Sequence, residues 1–247
     1  MAANQSPKQF NEDQEEALKS ILGDRSSYEY VKVDLPSNGL SYQKSADIRP
    51  FTFEDEKYAL KHDIKKSEFM NVLLARCLKD LDLDSLFICD KAFLLFKLKE
   101  ISTGSTVDMT IKCGACDTDS KLTLDLKLLN IKTMEEGTEI PLTMQLKVLD
   151  KEVVVNPARV RDEKNMISFD SFSNNLWRFV ESIHGVTDKT VITEAIPKLP
   201  VEDVHQIMRA ISMSEYGINS NFNYLCEACG NNQETEVPLS TNFFGKV

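Results

Sequence analysis

The sequence predicts an α+β protein of two tandem, related units, each a helical cluster with small antiparallel β-hairpins and a Cys-x-Ala-Cys knuckle at one hairpin. Three observations carry this reading. Apolar residues recur at helical spacing in some stretches (Met70, Leu73, Leu74, Cys77, Leu78) and alternate with polar ones in others (Val107, Met109, Ile111). Two Cys-x-Ala-Cys pairs, Cys113–Cys116 and Cys226–Cys229, lie 113 positions apart. The order of features leading to the first pair recurs on the way to the second.

The recurrence can be followed residue by residue. A shift of 113 carries Cys113, Ala115 and Cys116 onto Cys226, Ala228 and Cys229, Gly104 onto Gly217, and Asp90 onto Asp203. It also carries Met109 and Ile111 onto Phe222 and Tyr224, which keeps the face parity of the strand. Upstream, Pro50-x-x-x-x-Asp55-Glu56-Lys57 matches Pro157-x-x-x-x-Asp162-Glu163-Lys164 at a shift of 107. The six-residue difference reads as an insertion in the helical part of the second half, and the whole as an internal duplication. The expected organisation is a polar arm over 1–27, a first unit over 28–130, a linker over 131–140 and a degenerate second unit over 141–247.

In chain order, Asp13 to Leu22 is a short helical candidate stopped by Gly23. Tyr28 to Val33 reads as a strand, and Leu35-Pro-Ser-Asn-Gly-Leu40 as a turn whose Asn and Gly supply positive φ. Thr52 is a candidate N-cap, followed by Glu54, Asp55 and Glu56, which favour the helix dipole. Ser67 caps a second helix, Asp82 to Ser85 interrupts the pattern, and Asp90 to Ser102 is an apolar helix stopped by Gly104. Val107 to Ile111 and Leu122 to Leu128 are strands around the first cysteine pair. The second half begins with alternating Leu142 to Val148, then Val153 to Val155. Helices are expected over Phe172–His184, Lys189–Ile196 and Pro200–Glu215, and a last hairpin over Ile218–Leu239. Trp177 lies beside the apolar stripe of the first of these helices, a stripe read as core.

Charge narrows the function classes. The formal net charge is −10, from 29 basic and 39 acidic residues, which argues against a general nucleic-acid binder. No apolar run approaches a membrane span, and the first residues lack the apolar middle of a secretory signal. A soluble, intracellular chain keeps its thiols reduced. Cys77 and Cys89, alone among apolar neighbours, read as core. The other four suit zinc: a C-x-x-C at a hairpin tip aims two sulfurs at one ion, a structural zinc takes four ligands, and each half offers two. Cys113, Cys116, Cys226 and Cys229 would then share one site that clamps the halves together. Two alternatives stand beside it, an unmetallated pair and a redox dithiol, although redox motifs open helices rather than join strands. His62, His184 and His205 do not sit at ligand spacing, and His184 is expected to close a helix. There is no P-loop, G-x-S-x-G, H-E-x-x-H or G-x-G-x-x-G motif, and Asp80, Asp82 and Asp84 lack the rest of a calcium loop. The chain is not expected to be an enzyme.

Leu35-Pro-Ser-Asn-Gly39-Leu-Ser-Tyr42, Ile48-Arg49-Pro50 with Asp55-Glu56, the Asp90–Ile101 helix, Gly104 and Cys113-x-x-Cys116 together resemble the base plate protein family of T-even-type bacteriophages, whose members act in baseplate hub assembly. The resemblance covers about residues 28–130. The second half lacks the Pro-Ser-x-Gly turn, having Leu149-Asp150-Lys151 instead. It implies a non-enzymatic, chaperone-like assembly factor in the host cytoplasm, with other hub proteins and the tail tape-measure protein as partners. Candidate contact surfaces are the polar arm, the turn residues Pro36, Ser37, Asn38, Gly39 and Tyr42, and Phe243 and Phe244. The two phenylalanines read equally as a partner anchor or as a last segment packed at home. Competing classes are a zinc-knuckle nucleic-acid-binding regulator, disfavoured by the charge, and a permanent structural subunit of the tail.

Overall fold

Asn38 and Gly39 take left-handed backbone, with φ of 53° and 84°, and so close the turn between β1 (Val31–Asp34) and β2 (Ser45–Ile48). A computed structural model describes residues 11–22, 29–61, 68–166, 168–239 and 241–244. The expectations for Gly23, Tyr28, His62, Ser67 and most of the 1–27 arm lie outside the described residues. Within that arm, α1 (Glu12–Leu22) forms where the helical pattern placed it, and none of its residues is buried.

Thr52 caps α2 (Phe53–Ala59) in a reciprocal capping box with Asp55. Next come α3 (Phe69–Cys77), β3 (Leu78–Lys79), a 3₁₀ turn at Leu83–Ser85, and α4 (Ile88–Thr103), which ends at Gly104 with φ of 96°. The apolar residues on α4 bury on most sides, as its composition requires. β4 (Thr106–Lys112) and β5 (Asp119–Asp125) make the first knuckle hairpin. β6 (Ile131–Lys132), β7 (Leu142–Gln145) and β8 (Glu152–Val155) follow, then a 3₁₀ segment at Val160–Asn165 and α5 (Phe169–Asn175). The chain ends with β9 (Val180–Ile183), α6 (Lys189–Ala195), α7 (Val201–Ser212), β10 (Gly217–Ile218) and the second knuckle hairpin, β11 (Asn221–Leu225) with β12 (Asn232–Glu236). The class is α+β, with helices and small antiparallel sheets.

Three expectations for the second half are corrected. The helix over Phe172–His184 stops early, because Val180–Ile183 instead becomes β9, the third strand beside β8. Sheet pairing outweighs the apolar helical spacing there. His184 therefore follows a strand with φ of 51° rather than closing a helix. Pro200 is the N-cap of α7 rather than its first helical residue.

The halves repeat specific contacts. Each has a three-stranded antiparallel sheet, β1-β2-β3 and β7-β8-β9. In the first, Ser37 N–H donates to the carboxylate of Asp90, a fully buried residue in the opening turn of α4. In the second, Val148 and Leu149 N–H donate to Asp203, fully buried in the opening turn of α7. Each acid thus satisfies backbone donors of the hairpin turn that lies against its helix. Arg49 N–H to Cys77 carbonyl corresponds to Asn156 N–H to Phe179 carbonyl, each joining the residue after the second strand to the third-strand side of its sheet.

The cores do not respect the expected boundaries. One core gathers Leu73, Leu74, Phe93, Leu94 and Leu98 but also takes Val160, Val237, Phe243 and Phe244. The second gathers Leu146, Val155, Leu176, Ile192, Ile207 and Ile211. Residues 131–140, expected as a linker, are tied in: β6 pairs with β10, Met134 is buried, and its N–H donates to Pro36 carbonyl. Val237, Phe243 and Phe244 therefore belong physically to the first core.

Candidate metal centre

Two alternating hairpins, β4–β5 and β11–β12, present their cysteine pairs at their tips. The tips close in the same way. Cys113 N–H donates to Thr118 carbonyl and Asp117 N–H back to Cys113 carbonyl; Cys226 N–H donates to Asn231 carbonyl and Gly230 N–H back to Cys226 carbonyl. Asp117 and Gly230 hold the left-handed position in each turn, with φ of 59° and 70°. A 113-residue shift thus preserves the loop geometry as well as the cysteines.

The four sulfurs lie within 4.8 Å of one another. Cys113 Sγ is 3.7 Å from Cys229 Sγ, and Cys116 Sγ is 3.8 Å from Cys226 Sγ. Zinc held tetrahedrally at about 2.3 Å from each sulfur would space them about 3.8 Å apart. A disulfide would need about 2.05 Å. The spacing is therefore compatible with one metal site shared by the four cysteines. Cys113 and Cys226 are buried and Cys116 and Cys229 exposed, so one sulfur of each pair faces inward and one outward. Ile111, Leu122, Phe222 and Tyr224 pack beneath them.

Outer hydrogen bonds cross between the hairpins. Gln233, on β12, donates through Nε2 to Cys113 Sγ at 2.7 Å, while its Oε1 accepts from Gly114 N–H at 3.0 Å. Ser120, on β5, donates to Cys226 Sγ at 3.9 Å. Ser120 and Gln233 are themselves 113 positions apart, so each hairpin supports the partner hairpin's buried sulfur from the same position. Neither residue was singled out by motif; the repeat shift was the signal that could have found them. Burial opposes ionisation of Cys113, yet the N–H groups of Ala115 and Cys116 and the neighbouring thiols bring it down to about 6. Cys226 is also lowered, by the N–H groups of Cys229 and Ala228. Cys229 moves the other way: the Asn231 backbone lowers it, but hydrogen bonds with the neighbouring thiols, together with burial, push it up to about 12.

The other expected residues fall elsewhere. Cys77 and Cys89 are buried in apolar surroundings, and burial pushes the Cys77 thiol up to about 12. Pro36 and Ser37, expected at a partner surface, are buried against α4; Asn38 and Tyr42 are half-buried, and only Gly39 is exposed. The Tyr42 hydroxyl donates to Asp90 and accepts from Phe87 N–H, so this turn is an internal anchor. Burial, with the adjacent Asp90 carboxylate, raises the tyrosine above its ordinary range, and burial raises Asp90 likewise. Phe243 and Phe244 are 3% and 5% exposed, with rings 5.1 Å from Phe96 and 5.4 Å from Phe51 respectively. They pack at home and cannot also serve as an exposed anchor. Near the first knuckle, Lys112 pairs with Asp117 at 3.2 Å, which leaves little basic surface there.

No helix among the described residues is long and apolar enough to cross a membrane. No curated protein and no solved structure matches the chain. Residues 27–149 match the family model described as T4 bacteriophage base plate protein. The match takes in the Asp90-anchored turn, α4 and the first knuckle, and ends before the second cysteine pair. Over residues 27–149 the chain belongs to the T4 bacteriophage base plate protein family.

Proposed function

We propose that the protein is a non-enzymatic assembly factor for the hub of a phage tail baseplate, shaped by one structural zinc shared between its two knuckles. The family match carries the baseplate reading. The sulfur spacing of 3.7 and 3.8 Å supports the zinc. Hub proteins and the tape-measure protein are the proposed partners, met in the host cytoplasm. The shared use of Asp90 and Asp203, of Asp117 and Gly230, and of Ser120 and Gln233 supports descent of the two units from one by duplication.

The test is a pull-down of the tagged full chain from infected cells, with metal measured on the same sample after purification without chelators. The expected result is hub proteins in the eluate and about one zinc per chain, as four thiolates require. An eluate without tail proteins refutes the assembly role, and a metal-free protein refutes the zinc. Recovery of the chain in finished tails would make it a permanent subunit rather than a transient factor.

A further inference from the structure

The chain has seven arginines against 39 acidic residues, so an arginine without a carboxylate needs a reason. Arg49 and Arg76 pair with Asp55, and Arg209 with Glu202. Arg159, Arg161 and Arg178 make no ion pair among the described residues, and all three line one cavity of about 450 Å³. Arg161 and Arg178 are solvent-exposed, whereas Arg159 is partly buried. Arg178 Nε donates to Asn175 Oδ1 at 2.8 Å, leaving its two terminal nitrogens uncommitted. Arg159 is pinned, stacked 4.6 Å over Phe87 and donating to Ser41 Oγ at 2.7 Å, and lends its charge to the wall. Asp162 also lines the cavity, but its Oδ2 accepts the Arg159 backbone N–H at 2.9 Å. Buried Pro157 and Phe179 supply the apolar part of the wall.

We infer that this cavity is an anion-binding pocket that seats a carboxylate-bearing segment of a partner protein. Guanidinium forks match carboxylates in paired hydrogen bonds, and they hold more strongly where water is partly excluded. The apolar wall beside the forks suits an acidic side chain or chain terminus attached to a polypeptide. The inference depends neither on the metal nor on the hub assignment.

Trp177 is the single tryptophan, and the Arg178 guanidinium lies 5.0 Å over its ring, so the pocket carries its own reporter. The experiment titrates the full chain with tetra-glutamate peptide while following tryptophan fluorescence, with tetra-lysine peptide and inorganic phosphate as separate arms. The expected result is a saturable change with tetra-glutamate alone. Arg161→Gln should weaken it about tenfold, the factor equivalent to one charge-assisted contact. Because Arg161 is exposed, this variant keeps its fold, which far-UV circular dichroism verifies. Three outcomes overturn the inference: no saturation with tetra-glutamate, unchanged affinity in Arg161→Gln, or phosphate binding as tightly as the peptide, which would make the cavity a free-phosphate site.

Discussion

Asp55 and Asp162 occupy the same place in the repeated Pro-x-x-x-x-Asp-Glu-Lys signature, yet the structure gives them unequal roles. The Asp55 carboxylate accepts from Arg49 at 2.7 and 3.1 Å, from Arg76 Nε at 2.8 Å, and from the Thr52 N–H and hydroxyl, each at 2.9 Å. Its side chain is 2% exposed, Arg49 is 16% and Arg76 33%. Among the described residues, Asp162 accepts one hydrogen bond, from Arg159 N–H, and pairs with no cation. Asp55→Ala therefore removes a cap, worth about 1 kcal/mol. It also removes the carboxylate that faces Arg49, which keeps its bonds to the Pro50 and Arg76 carbonyls, and breaking a buried pair costs about 3–5 kcal/mol. Arg76 reaches water and adds little. The expected loss is about 4 kcal/mol for Asp55→Ala against about 1 kcal/mol for Asp162→Ala. At about 2–4 °C per kcal/mol for a chain of this size, thermal unfolding should separate the two variants by roughly 6–12 °C. Burial alone would raise the Asp55 carboxyl, but Arg49, Thr52 and Arg76 hold it well below the usual carboxylate range. The folded state thus binds this proton less readily than the unfolded chain. The stabilisation is complete above the unfolded pKa of about 3.9 and is lost as pH falls through the lower folded value. The gap between wild type and Asp55→Ala should therefore be constant near neutrality and close in strong acid. Equal melting losses in the two variants, or a gap that widens on acidification, would refute this account.

Tyr42→Phe leaves Phe87 N–H and an Asp90 oxygen without their partner and should cost about 1–3 kcal/mol in urea unfolding. Gln233→Ala removes the donor to Cys113 and should weaken zinc binding about 10–100-fold in a chelator competition, with the fold retained. Chelation of the metal alone should loosen the two knuckle hairpins without global unfolding, seen as faster amide exchange over 221–236; combined with Phe243→Ala, it should release the C-terminal segment entirely.

Where local chemistry decides, the fold was legible. Thr52, the Asn38-Gly39 turn, Gly104 and the alternation of β4 all rest on the backbone preferences of a few residues, and all stand where the sequence put them. The candidate site was legible for a related reason: each cysteine pair is contiguous, and both share the Cys-x-Ala-Cys spacing. What escaped depends on distant chain. Val180–Ile183 is apolar enough for a helix face, and only the vacant edge of β8 makes it a strand. Phe243 and Phe244 look like a free tail until Phe51 and Phe96 are placed opposite them. The turn residues Pro36 and Ser37 read as surface because nothing local reveals that Asp90, 53 positions beyond Ser37, accepts the Ser37 N–H, or that Met134 N–H donates to the Pro36 carbonyl. The arginine pocket draws on residues around 159 and 178 that no spacing rule connects.

With the proposed metal bound, the C-terminal segment is held at two points that fail in different ways. A two-stranded hairpin is marginal by itself in water, and each knuckle hairpin is two-stranded. A metal joining Cys116 to Cys226 closes a loop of 110 residues in the unfolded chain. A cross-link over about 100 residues is worth up to about 4.7 kcal/mol in chain entropy. The second anchor is apolar: Val237, directly after β12, and Phe243 and Phe244 beyond it all sit in the first core. Removing the metal leaves this anchor in place, so the hairpins remain near each other and the effective loop stays short. Removing Phe243 leaves the metal to do the same. Each loss is therefore buffered by the other anchor, and the two together should cost more than the sum of their separate effects. That coupling is expected of a thiolate site that clamps chain already near at hand, whereas a site that alone folded the C-terminal segment would show the full loss on chelation.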